Sequence, residues 1–364
     1  MKKTKVAGKP MGLPKKPVAI ALAALLALTF VITTVSCDRR PVLRIYVWTY
    51  YLPESIVRQF EQEFDVRVTM DYYASNEEML ARLQAGGFGR RGPSFDIVFP
   101  SGDFVPIMVR QNMVEPINHS LLENMGNIDP IILEKSADPN MEFSVPYFYG
   151  AGGVIINTAM VPDFERCWSI FAREDLRGRM TMLDDLREVI GAALSYLGYS
   201  VNTQDPVEIA AARDHINEHW RPNLVRFDSE AFGIGYSNGD FWVVHAFPEI
   251  VFEEIAGNPQ LMQDTYFFIP PGSPAYIDSM VILRGSNNIE LAHKFIDFIH
   301  RPEIYAEFAD TFNFPASVNV PARQLTTAVP MFTVEELYYT ELVQEAGPAF
   351  SYFSDAWFDS IRIE

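Results

Sequence analysis

Between Leu43 and Arg110 the chain alternates between two hydrophobic periods, and that alternation limits its fold more than any other feature. LRIYVW is short, β-branched and aromatic, the composition of a strand. Glu54 to Phe64 follows with apolar residues at Ile56, Val57, Phe60 and Phe64, the spacing of one helical face. The order then repeats: Val66 to Tyr72 reads as a strand, Asn76 to Gln84 as a helix, and Asp96 to Pro100 as a third strand leading into Phe104 to Arg110. A βαβαβα order implies a largely parallel sheet with helices on both faces, because parallel neighbours need a crossover between them.

The alternation resumes beyond Val145 to Asn157, where PYFYGAGGVIIN is rich in glycine and then strongly apolar. This segment reads as a crossing into a second lobe, with helices at Asp185 to Tyr199 and Val207 to Trp220 and a strand at Trp242 to Phe247. YIDSMVIL, Tyr276 to Leu283, followed by a helix from Ile289 to His300, reads as a return to the first lobe. The expected division is therefore 43–150 for the first lobe, 151–275 for the second, 276–325 for the return, and 326–364 for a C-terminal helical segment packing across both. The turns PPGSP and FPASVNVP punctuate lobes rather than divide domains.

The N-terminal stretch places six lysines and no acid before an apolar run from Val18 to Val35, the order of a secretory signal. Thr34 and Ser36 lie close before Cys37, in a pattern that resembles a bacterial lipobox with Thr34 where Leu is usual. The expectation is a signal peptide over 1–36, a lipid on Cys37 and a tether over 37–42, with the rest of the chain outside the cytoplasm. Removing 1–36 takes six of 29 basic residues and none of the 47 acidic ones, leaving 23 against 47 and a formal charge of −24. That surplus repels nucleic acid and anionic substrates and concentrates cations. The other cysteine, Cys167, then has no disulfide partner and reads as a small buried hydrophobe. The remaining 328 residues exceed what one core usually supports, which again implies two lobes.

Three groups could carry chemistry. In MLDDLREV, Asp184, Asp185 and Glu188 stand at the start of an apolar-periodic helix. Asp185 and Glu188, three apart, suit either a capping box or a two-carboxylate anchor for an ammonium group. His215, Glu218 and His219 form H-x-x-E-H, a zinc-protease spacing with no visible third ligand, inside what reads as an ordinary amphipathic helix. Trp48, Tyr50, Tyr51, Phe247 and Tyr276 fall just past strand ends or at the lobe crossing, where open parallel sheets place ligands. A Gly-rich phosphate loop, a G-x-S-x-G elbow and a Cys-x-x-Cys pair are all missing from the sequence, so nucleophilic catalysis has no support.

At these residues the chain resembles the periplasmic spermidine/putrescine-binding proteins of ABC transporters, from about Leu43 to near the C-terminus. YVWTYYLPES, SNEEMLARL, FDIVFPS, LDDLREV, the YIDS segment and the FPASVN turn carry the resemblance. It implies a type II periplasmic-binding-protein fold, in which two α/β lobes joined by crossing strands hold the ligand cleft between them. It also implies an aromatic box at Trp48, Tyr51, Phe247, Tyr276 and Phe314, carboxylates at Asp185, Glu188 and Asp278, and polar contacts at Thr49, Ser101, Ser229 and Gln344. Tyr50 stands where the family usually has another acid. Asp103 stands where some members have an aromatic, and partial compensation by Asp103 is the expectation.

The combination suits a polyamine, a row of ammonium charges separated by methylenes. Carboxylates bond the ammoniums, each for roughly 1.5–3 kcal/mol net, and aromatic faces cover the methylenes for roughly 0.5–2 kcal/mol each. The expected function is therefore a monomeric, lipid-anchored solute-binding protein without catalytic step, cofactor or metal, delivering spermidine or putrescine to the permease subunits of an ABC importer. Alternatives are a binder of a basic amino acid or a quaternary amine, a zinc hydrolase built on His215 and His219, and a surface lipoprotein for adhesion or sensing.

Overall fold

The computed structural model describes, apart from Gly8, residues 40–49, 51–86 and 93–361. Cys37, the rest of the proposed signal segment and Tyr50 lie outside them. Eleven strands occur among the described residues: β1 (Val42–Trp48), β2 (Arg67–Tyr73), β3 (Ile97–Val98), β4 (Ser144–Ala151), β5 (Gly153–Asn157), β6 (Met180–Met182), β7 (Leu224–Phe227), β8 (Val243–Ala246), β9 (Thr265–Phe268), β10 (Pro274–Ile282) and β11 (Glu341–Leu342). They form two sheets, one ordered β11-β10-β3-β1-β2 with β4 on β10, the other β7-β6-β8-β5-β9.

The first helix is Glu54–Phe64, as its spacing requires. Ile56, Val57 and Phe60 are buried, and Asp65 in a left-handed conformation ends it. That helix carries the chain from β1 to β2, which pair in parallel from Val42 opposite Arg67 to Trp48 opposite Tyr73. β3 pairs in parallel with β1 on its other side.

Neither sheet is as parallel as the alternation implies. β10 runs antiparallel to both β3 and β4, because it enters the first sheet on its way back from the second. In the second sheet β6 is parallel to β7 and β8, while β5 runs antiparallel to β8 and β9. Only Gly152 separates β4 in the first sheet from β5 in the second, and the turn Ile269–Ser273 separates β9 from β10. The sheets are thus joined by an antiparallel strand pair, buried along all of β4 and nearly all of β10.

Other boundaries shift for local reasons. The helix expected over Asp185 to Tyr199 spans Leu186–Tyr196, because Asp185 is its cap. The one expected over Val207 to Trp220 is α-helical from Pro206 to His215 and then widens into a π turn, Ile216–Trp220. Residues 326–361 are not wholly helical: β11 adds two residues beside the start of β10. After β11 the chain turns to the second sheet's side, where Phe353, Trp357 and Ile361 join the core formed by Trp168, Ile190 and Trp220.

Candidate functional site

Asp278 lies in the middle of β10, where pairing with β4 slips by one residue and an isolated bridge joins it to Ser101. Its carboxylate is buried yet well supplied with donors. Ser101 Oγ donates to Oδ1 at 2.6 Å and the Tyr51 hydroxyl to Oδ2 at 2.6 Å. Burial pushes its pKa up to about 6, against the pull of those two bonds. The phenol of Tyr51 is held well above its ordinary range by burial and by the adjacent Asp278 charge, so it remains a donor.

Aromatic rings lie around this carboxylate. Tyr276, two residues earlier on the same face of β10, meets Phe247 edge-to-face at 5.7 Å between ring centres and Phe148 at 6.4 Å. Trp48, half-buried at the end of β1, donates its indole N–H to Phe99 O at 2.9 Å and packs at 4.6 Å on Tyr73. Burial raises the Tyr276 phenol well above its usual range, and the charges of Glu249, Asp278 and Glu188 add to that rise. The charges of all three acids are therefore felt at one phenol.

The second sheet supplies the opposing acids. Asp185 realises the first half of the capping reading, with one carboxylate oxygen accepting the N–H groups of Arg187 at 2.8 Å and Glu188 at 3.0 Å. Glu188 does not realise the second half. Its carboxyl turns inward, 6% exposed, and Oε2 has no hydrogen-bond partner among the described residues. Burial, reinforced by the Asp185 charge and opposed by Arg187, holds the Glu188 carboxyl well above the usual range. Oε2 lies 3.4 Å from Nε2 of the buried His245. A Cβ at Gly152 would collide with that oxygen, so glycine is what allows the approach.

Sequence reasoning missed Glu249. It stands in the first turn of the helix Pro248–Ile255, directly after Phe247, where an acid is ordinary. Its Oε2 is buried without a partner, and burial, with the Asp278 charge added, pushes its pKa up to about 7. The only signal in the sequence was its position two residues after Phe247.

Other expected residues are placed less directly. Asp103 is half-buried with its pKa raised to about 7 by burial, but its strongest charged neighbour is Arg187, which offsets the negative charge it was expected to add. Thr49 is exposed, and both its main-chain N–H and its hydroxyl donate to Tyr73 O, at 3.3 and 3.5 Å. Ser229 Oγ accepts the Asp184 N–H at 2.9 Å, fixing the loop before the Asp185 cap. Phe314 is buried, stacked at 4.4 Å on Phe148, which separates it from Tyr276. Gln344 is exposed, and its main-chain carbonyl, not its side chain, accepts from Arg187. His215 and His219 lie 4.8 Å apart between ring centres at the π turn, His215 packed on Trp220. No group of three or more metal-binding side chains occurs among the described residues, so the zinc reading has nothing to complete it.

The family model for bacterial extracellular solute-binding proteins matches residues 55–333. The chain belongs to that family. This family member is 33% identical over 305 residues to the spermidine/putrescine-binding periplasmic protein of Escherichia coli, covering 82% of this chain and 84% of that one. To the putrescine/cadaverine-binding protein of Pseudomonas aeruginosa it is 30% identical over 270 residues, 71% of this chain and 74% of that one. Among solved structures, the TpPotD lipoprotein of Treponema pallidum superposes with a TM-score of 0.84 at 42% identity, covering 89% of this chain and 100% of that one. The fold is accordingly the type II periplasmic-binding fold that the resemblance implied, and the family is one of extracytoplasmic solute binders rather than enzymes.

Proposed function

We propose that this solute-binding protein captures a polyamine, spermidine or putrescine, between its lobes and delivers it to the permease of an ABC importer. One observation carries the reading: Tyr276 meets the Phe247 ring two residues before the buried Asp278 on the same strand, and its phenol feels the charges of Glu249, Asp278 and Glu188. Carboxyls beside edge-to-face aromatic rings suit ammonium groups separated by methylenes. An amino acid would add a carboxylate to this acidic site and be repelled by it. Relatives named for spermidine, putrescine and cadaverine support the same class of ligand.

In this reading Trp48, Tyr51, Phe247 and Tyr276 line the methylenes, Asp185, Glu188, Glu249 and Asp278 hold the ammoniums, and Cys37 carries the lipid that keeps the protein at the membrane. Calorimetry against putrescine, cadaverine, spermidine, lysine, arginine and choline tests it. Polyamine binding is expected, weakened at least tenfold by Asp278→Asn, while the amino acids and choline give no heat. Preference for lysine, arginine or choline over every polyamine would overturn the ligand class. Mass analysis of the membrane-extracted protein, with and without Cys37→Ser, tests the anchor separately.

A further inference from the structure

The acids of the cleft do not account for His245. This residue sits in β8, opposite Val154 of β5, fully buried, with neither ring nitrogen hydrogen-bonded among the described residues. Its ring meets Trp168 edge-to-face at 4.8 Å, and its Nε2 faces Glu188 Oε2 at 3.4 Å across the space left by Gly152. Two buried polar groups without other partners, facing each other at the point where the chain crosses between sheets, are costly unless one donates to the other.

We infer that His245 is the positioning residue for Glu188: neutral imidazole donates its Nε2–H to Oε2, fixes the carboxylate toward the cleft and favours its ionised form. This inference rests on the polyamine reading, in which Glu188 meets an ammonium group. A carboxylate has lone pairs for both partners, so the imidazole on one oxygen leaves the other for the ligand.

The charges around the pair are few. Asp185 and Arg187 face Glu188 from its own helix and Tyr276 faces it from β10, while burial alone acts on His245. Burial lowers the His245 pKa to about 3, so it enters neutral pH uncharged and does not compete with a cationic ligand. Glu188 is raised by burial first and Asp185 second. A hydrogen bond to the ionised form opposes that rise, so removing the donor moves the Glu188 titration further upward. A cation is held by the ionised carboxylate, and affinity therefore falls as pH drops through that titration. Without the donor the fall begins at higher pH.

Calorimetry of spermidine binding at pH 8 and pH 6 is the test, on the wild-type protein, His245→Leu, His245→Gln, and His245→Leu combined with Glu188→Gln. His245→Leu is expected within about threefold of wild type at pH 8 and at least tenfold weaker than wild type at pH 6. His245→Gln, which keeps an N–H donor, follows wild type. With Glu188→Gln in place, the Leu substitution changes nothing further. Should Leu at this position prevent folding, His245→Met carries the same expectation. A Leu or Met variant that tracks wild type at both pH values, or that loses affinity equally in the Glu188→Gln background, overturns the role of His245 alone. Wild-type protein that binds no polyamine at either pH overturns the polyamine reading, and this inference with it.

Discussion

Glu249 shows how a single carboxyl can oppose stability and serve binding. Its buried oxygen has no partner, and its pKa near 7 leaves it partly protonated in the empty cleft at neutral pH. Placing an ammonium beside it supplies both the missing bond and the opposite charge. Glu249→Gln should thus weaken spermidine binding five- to tenfold in calorimetry while leaving the empty protein's thermal transition equal or higher. A lower transition with unchanged affinity would make Glu249 a structural residue. Only its place two residues after Phe247 set it apart from the other acids, and an acid in the first turn after Phe-Pro is ordinary helix chemistry. Asp278 was legible because YIDS carried it. Its partner Tyr51, 227 positions away, was legible from its place just past the first strand, and Ser101, 177 positions away, only through the family resemblance; their bonds to it come only from the fold.

At the scale of elements, the helix Leu186–Tyr196 has its cap and a proposed ligand group in one residue. Asp185→Ala removes both, and losing the cap costs about 1 kcal/mol. Asp185→Ser keeps an oxygen for the N–H groups of Arg187 and Glu188 but removes the charge. Denaturant unfolding should show Ala destabilised and Ser near wild type, while calorimetry shows both weakened for polyamine. Equal affinity in the Ser variant would reduce Asp185 to a cap. The long periodic elements, Val42–Trp48 and Glu54–Phe64, were readable because each presents one apolar face over several residues. β6, β7, β9 and β11 are two to four residues long and have too few positions to show a period. The π turn at Ile216–Trp220 was hidden because one extra residue in a turn preserves the local spacing that made H-x-x-E-H look regular. The antiparallel course of β10 was equally invisible, since direction follows from where the chain comes back from and not from its residues.

Across the whole molecule, closing two lobes on an acidic cleft sets stability against function. Burial raises Asp278 to about 6 and both Glu249 and Asp103 to about 7, whereas in the unfolded chain such groups titrate near 4. Between about pH 4 and 7 the folded state holds those protons after the unfolded chain has lost them. His245 and His300, lowered by burial to about 3 and about 4, stay neutral where unfolded imidazoles are protonated, and oppose the acids below about pH 6.5. Above that pH the acids prevail, and stability falls as pH rises. Asp228 and Asp310 have lowered pKa values, so their stabilising contributions are lost only below about pH 4, outside the window. The empty protein should melt about 1.5 °C higher at pH 6.5 than at pH 8 in differential scanning calorimetry, the scale expected for about 1 kcal/mol in a chain of this size. Saturating spermidine should reverse the order, because the cation binds the ionised carboxyls and its affinity grows with pH. The gap between the two melting curves would then be widest at pH 8. A gap that narrows from pH 6.5 to pH 8 would mean that the raised acids do not meet the ligand, and that the charge holding it lies elsewhere on the surface.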